Sequence, residues 1–181
     1  MNTKLPLTWI VLLGLMSSIT IGVLYEESKN DESRFIFGSA HEHASISIKI
    51  FGEEFDLAKQ SFQLQSPFIH LENFDGHVIH RHSQYVTIGY LFKTLNLGLT
   101  KDCLVLPNED KFCSNEKFSL KFYVNEKKIL DLQDYLIFDG DFILITYGSE
   151  SQDEVELQLK ELKNKGFPFK LREQVDPFLK F

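Results

Sequence analysis

Two kinds of hydrophobic patterning divide the chain. From Leu5 to Tyr25 the run LPLTWIVLLGLMSSITIGVLY carries no charge. As a helix rising about 1.5 Å per residue it would span about 30 Å, the thickness of a bilayer core. Residues 1–25 therefore predict a short cytoplasmic stub and a transmembrane helix, with residues 5–25 in the lipid bilayer and Trp9 and Tyr25 at its interfaces. Lys4 precedes the run and Glu26, Glu27, Asp31 and Glu32 follow it, so the positive-inside tendency leaves the N-terminus in the cytoplasm and the remainder extracytoplasmic. A cleaved secretory signal opens in the same way. Either reading exports residues 26–181.

Beyond the anchor the period becomes two. In SISIKIF, Ile46, Ile48 and Ile50 alternate with Ser45, Ser47 and Lys49, the signature of a strand with one buried face. Gly52-Glu53 reads as a turn, and Ser61 to Gln65 as a second extended stretch. Phe68 to Glu72 and His77 to His82 flank Asn73-Phe74-Asp75-Gly76, and Asp-Gly between strand-like runs signals a hairpin. Thr87 can cap a helix carrying Ile88, Leu91, Phe92 and Leu95, with Gly98 as its stop. Extended pieces follow at Cys103–Leu106, Lys111–Cys113, Leu120–Val124 and Phe142–Tyr147. Ser151-x-x-Glu154 forms a capping box before Val155, Leu159 and Leu162, and Gly166 ends that helix. Its other face, with Glu156, Lys160, Glu161 and Lys163, reads as a solvated surface.

These elements predict an α+β fold, a mixed sheet with one or two packed helices, over residues 41–166. Residues 26–40 suit a spacer. The tail 167–181, FPFKLREQVDPFLKF, has four Phe and either packs across the domain or meets a partner.

Composition narrows the function classes. With 43% hydrophobic residues, 17 of them Phe, the chain can bury enough surface to fold. Its 19 basic and 26 acidic residues give a charge of −7, which argues against nucleic acid as a partner, because phosphate affinity rests on clustered Lys and Arg.

Export gives meaning to Cys103 and Cys113. Nine residues, LVLPNEDKF, separate them with a turn-like Pro107–Asp110 in the middle, so a hairpin brings them together. A structural disulfide is the default in an oxidising compartment, and closing this loop contributes about 2.5–3 kcal/mol. A redox-active pair is the alternative, although the spacing is not Cys-x-x-Cys.

All six histidines lie between positions 41 and 82. Residues two apart on a strand share a face, so His41-Glu42-His43 and His80-Arg81-His82 each present two imidazoles. Brought together, His41, His43, His80 and His82 would offer four nitrogen ligands suited to copper or zinc. Glu42 and Glu72 are loose additional candidates. A two-residue turn at Asp75-Gly76 places His80 opposite Leu71 and His82 opposite Ile69, whereas a four-residue turn pairs His80 with Ile69. Either register favours partly buried, hydrogen-bonded histidines among apolar neighbours. A metal site and proton-linked behaviour between about pH 5 and 7 are the other two readings.

No Gly-x-Ser-x-Gly, phosphate-binding glycine loop or His-Glu-x-x-His is present. Asp139-Gly140-Asp141 lacks the later ligands of a calcium loop and reads as a turn.

The segment LKFYVNEKKILDLQDYLIFDGDFILITYG, with the helix before it, resembles the β-grasp arrangement of ubiquitin-like domains. HEHASISIKIFGEEFDL, FIHLENFDGHVIHRHSQYVTIGYLF and LKFYVNEKKI with DYLIFDGDFILITYG resemble a group of archaeal membrane-anchored extracytoplasmic proteins often labelled protein-disulfide isomerase. That resemblance implies thiol–disulfide exchange carried by Cys103 and Cys113. The residues themselves favour a membrane-anchored binding or assembly module, with a thiol–disulfide oxidoreductase and an accessory subunit of a membrane complex as alternatives.

Overall fold

The computed structural model describes residues 32–165. The anchor segment, the start of the spacer and the Phe-rich tail lie outside the described residues. Among the described residues no helix is long and apolar enough to cross a membrane. The chain divides into units Met1–Arg34 and Phe35–Phe181. In the first, the described part is a 3-10 turn, Glu32–Arg34.

The second unit is α+β. Its main sheet contains β1 (Glu42–Ile50), β2 (Glu53–Glu54), β3 (Ile69–His70), β4 (Val78–Arg81), β8 (Ser119–Val124), β9 (Lys127–Ile129) and β10 (Asp141–Gly148). The order is β3-β4-β1-β10-β8-β9, with β2 folded back on β1. The central pair, β1 and β10, is parallel, and every other pairing in the sheet is antiparallel. A separate three-stranded sheet holds β5 (Gly98–Leu99), β6 (Cys103–Val105) and β7 (Lys111–Cys113).

Helix α1 (Ile88–Thr94) starts where Thr87 Oγ1 accepts a hydrogen bond from the Tyr90 N–H at 3.3 Å. Ile88, Leu91 and Phe92 enter the main core with Ile46, Ile48, Ile143, Ile145 and Phe122. Burying such side chains contributes about 1.5–3 kcal/mol each. The helix stops at Leu95 and Asn96, the latter at φ 55, not at Gly98, which opens β5.

Helix α2 (Gln152–Lys165) begins at the expected capping box: the Ser151 N–H donates to Glu154 Oε2 at 2.8 Å. Val155, Leu159 and Leu162 pack on Tyr123 and Leu144, across the sheet from the main core. This helix corrects the reading of β1 as a strand with one buried face. Ser45, Ser47 and Lys49 are buried as well, because α2 covers their side. Lys49 is satisfied there by Glu161 at 3.0 Å and Glu54 at 3.4 Å. Glu161 and Lys163 therefore tie the helix to other elements, the latter through Glu126 at 2.6 Å.

The stretch Ser61–Gln65 is not a strand. A 3-10 turn occupies Gln60–Phe62, and Leu64 at φ 54 breaks the extension after a single bridge between Gln63 and Leu71. Cys103 and Cys113 stand opposite each other across β6 and β7 and are joined by a disulfide.

Candidate functional site

The site begins with the register of three strands. In the β1–β4 ladder Glu42 pairs with Arg81 and His43 with His80. Side chains alternate along each strand, so His41 and His82, two residues out from that pair, continue the same face. The two His-x-His pairs named from the sequence thus meet directly.

The β3–β4 register differs from both expectations: His70, not Leu71 or Ile69, lies opposite His80. The cause is local. Leu71 leaves the ladder to bridge Gln63, and its carbonyl accepts from the Leu64 N–H at 2.8 Å. Asn73 and Phe74 then turn the chain at φ 58 and 57. Gly76 is required because a Cβ there would stand 2.7 Å from the Ala58 nitrogen. A one-residue shift exchanges the two faces of a strand. Ile69 and Leu71 consequently enter the core at 0% exposure, and His70 joins the histidines. The expected apolar neighbours of His80 are replaced by imidazoles on both sides.

Five rings form a closed circuit. Centroid separations run 4.8 Å from His41 to His43, 4.8 Å to His80, 5.9 Å to His70, 5.0 Å to His82 and 5.2 Å back to His41. His77 stands apart, with Nδ1 3.6 Å from Glu54. Phe37 borders the cluster, 5.8 Å from the His82 ring.

Carboxylates bracket the circuit. Asp139 Oδ1 accepts from the His43 backbone N–H at 3.0 Å and lies 3.5 Å from His43 Nδ1. Gly140, at φ 86, donates its N–H to the His43 carbonyl at 2.8 Å, which seats that turn beside β1. On the other side Glu72 reaches His70 Nε2 at 3.5 Å and His80 Nε2 at 3.6 Å.

Burial lowers the proton affinity of two of these rings. Burial pulls the His80 pKa down to about 4; Glu72 opposes this, and His43, His70 and His82 reinforce it. His82 is lowered too, by burial and then by His70 and His41. Neutral imidazole carries a lone pair on one nitrogen, the form that binds a metal. As the side chains stand, no group of three or more His, Cys, Asp or Glu among the described residues is arranged to hold a metal ion.

His70 was not among the site residues proposed from the sequence, and Glu72 was only a loose candidate. The alternation Ile69-His70-Leu71 carried the signal for His70. The cysteines of the thiol-exchange reading belong to the three-stranded sheet, and neither lies at a helix N-terminus.

In comparisons with known proteins, no family model, no curated protein and no solved structure matches the chain.

Proposed function

We propose that this chain is a membrane-anchored extracytoplasmic binding module whose working surface is the histidine face and whose ligand is a copper or zinc ion. The observation that carries the reading is the closed circuit of five imidazoles, joined by centroid separations of 4.8–5.9 Å. With Zn–N bonds of about 2.0–2.1 Å, two rings on one tetrahedral zinc have centroids about 5 Å apart. The spacing therefore suits a shared ion once the rings rotate to converge. The donor chemistry fits as well, since imidazole nitrogen is a ligand of choice for zinc and copper. When bound, the ion would supply a positive centre with an exchangeable position.

The anchoring part of the proposal is supported by the uncharged run Leu5–Tyr25. A β-grasp-like classification is supported by the parallel central pair β1–β10, with β4 beyond β1 and the β8–β9 hairpin beyond β10. Such a fold presents surfaces for binding and does not itself specify chemistry.

The test is titration of the purified full chain in detergent micelles with zinc and with copper(II), using a competing chromophoric chelator. Saturable binding of one ion tighter than millimolar is expected. Absence of such binding for both metals removes the proposal.

A further inference from the structure

The last turn of α2 reaches the wall of an open cavity. Lys165 closes the helix, and its ammonium meets Glu54 Oε2 at 2.6 Å. The cavity, of about 590 Å³, is lined by residues 54–58, residues 73–77 and Lys165 itself. Its volume falls within the range of about 300–1,000 Å³ common to ligand sites. Two loops make the walls, joined where Gly76 packs against Leu57 and Ala58.

Phe74 stands out among the lining residues. It is 64% exposed on backbone at φ 57, a conformation that bulky side chains seldom adopt. The Phe74 N–H donates to Gln63 Oε1 at 3.0 Å, which holds that backbone and leaves the ring presented beside the cavity. Phe55 and Leu57 supply apolar surface on the other wall.

The occupant follows from where the chain goes next. After Lys165 it continues as GFPFKLREQVDPFLKF. At no more than about 3.6 Å per residue, Phe167 falls within about 7 Å of the Lys165 Cα and Phe169 within about 14 Å. Pro168 biases Phe167 toward extended backbone. Residues two apart on an extended chain share a side, so both rings can face one wall. The charges are complementary as well. Glu54, Asp56 and Asp75 line the cavity against the single ammonium of Lys165, and the next charged residues along the chain are Lys170 and Arg172, ahead of any acid.

We propose that segment 167–170 is a built-in strap: Phe167 and Phe169 seat in this cavity against Phe55, Leu57 and Phe74, and Lys170 reaches the carboxylates of Asp56 and Asp75. The strap clamps the 73–77 loop, whose packing sets the register that brings His70 opposite His80. It does not depend on metal binding.

The test uses the full chain in micelles, labelled with carbon-13 and nitrogen-15. In wild type, nuclear Overhauser contacts are expected from the Phe167 or Phe169 ring to Phe74 and Leu57. A nitroxide at Lys170→Cys, the native cysteines being paired, should broaden the amide signals of residues 55–58 and 73–77. Absence of those contacts, or broadening centred instead on the cavity that Glu126 and Glu156 line, overturns the strap. A mixed sample, in which nitroxide-bearing chains lack nitrogen-15 and nitrogen-15 chains lack the nitroxide, separates the copies. Equal broadening there means that a second copy's tail fills the cavity, which also overturns the proposal. Phe167→Ser together with Phe169→Ser should speed hydrogen exchange at the Phe74 and His77 amides by about tenfold or more, since burying even one phenylalanine acts on that scale. Unchanged rates count against the strap.

Discussion

His43 and His80 face each other across β1 and β4 with ring centroids 4.8 Å apart and ring planes at 86°. Burial and neighbouring histidines oppose a proton on His80, whose pKa is drawn down to about 4 from an ordinary 6.5. In the unfolded chain His80 takes up that proton at higher pH than in the folded one. The stability is therefore complete above about pH 6.5 and is lost progressively as the pH falls toward 4. Chemical denaturation between pH 7.5 and 4 should reveal a progressive loss of stability as the pH falls. His80→Asn should flatten the curve over that window, and an unchanged slope would count against the buried neutral ring.

Gly76 is packed against the backbone of Leu57 and Ala58, with space for no Cβ. Gly76→Ala should cost about 1–3 kcal/mol, the range for overpacking. Because the same loop sets the β3–β4 register, nuclear Overhauser contacts between the His70 and His80 rings should weaken in this variant. Retained contacts and wild-type stability would show the loop to be compliant.

Lys121 and Glu150 are both largely buried and 2.6 Å apart. The ammonium also donates to the Gly148 carbonyl at 3.3 Å. Glu150→Ala leaves the buried charge with one neutral acceptor and should destabilise by about 3–5 kcal/mol. Thermal unfolding provides the measurement, and Glu150→Asp should recover part of the loss.

The disulfide staples a sheet distinct from the one bearing the histidines. Replacing both Cys103 and Cys113 by Ser should lower stability by about 2.5–3 kcal/mol. Zinc affinity should stay unchanged, provided the variant remains folded at the temperature used. A parallel loss of affinity would instead couple the two sheets.

Local signals carried several elements directly. Thr87 and the Ser151–Glu154 box mark real helix starts, and the turn between the cysteines brings them to opposite positions on paired strands. Those features depend on chemistry within a few residues, which the order of amino acids spells out. The alternation of Ile46, Ile48 and Ile50 likewise located β1, but the burial of Ser45, Ser47 and Lys49 depended on α2, about a hundred residues later in the chain.

The histidine face divides along the same line. The chain alone determined that His41 and His43 share one side of a strand and that His80 and His82 share one side of another, because the backbone pleat has a period of two. Only the tertiary structure decided that those sides coincide and that His70 and Glu72 join them. Strand register is a property of two segments at once: here the Leu71–Gln63 bridge and the packing of Gly76 on Ala58 shift the hairpin by one residue, and that shift turns His70 out of the core and toward His80.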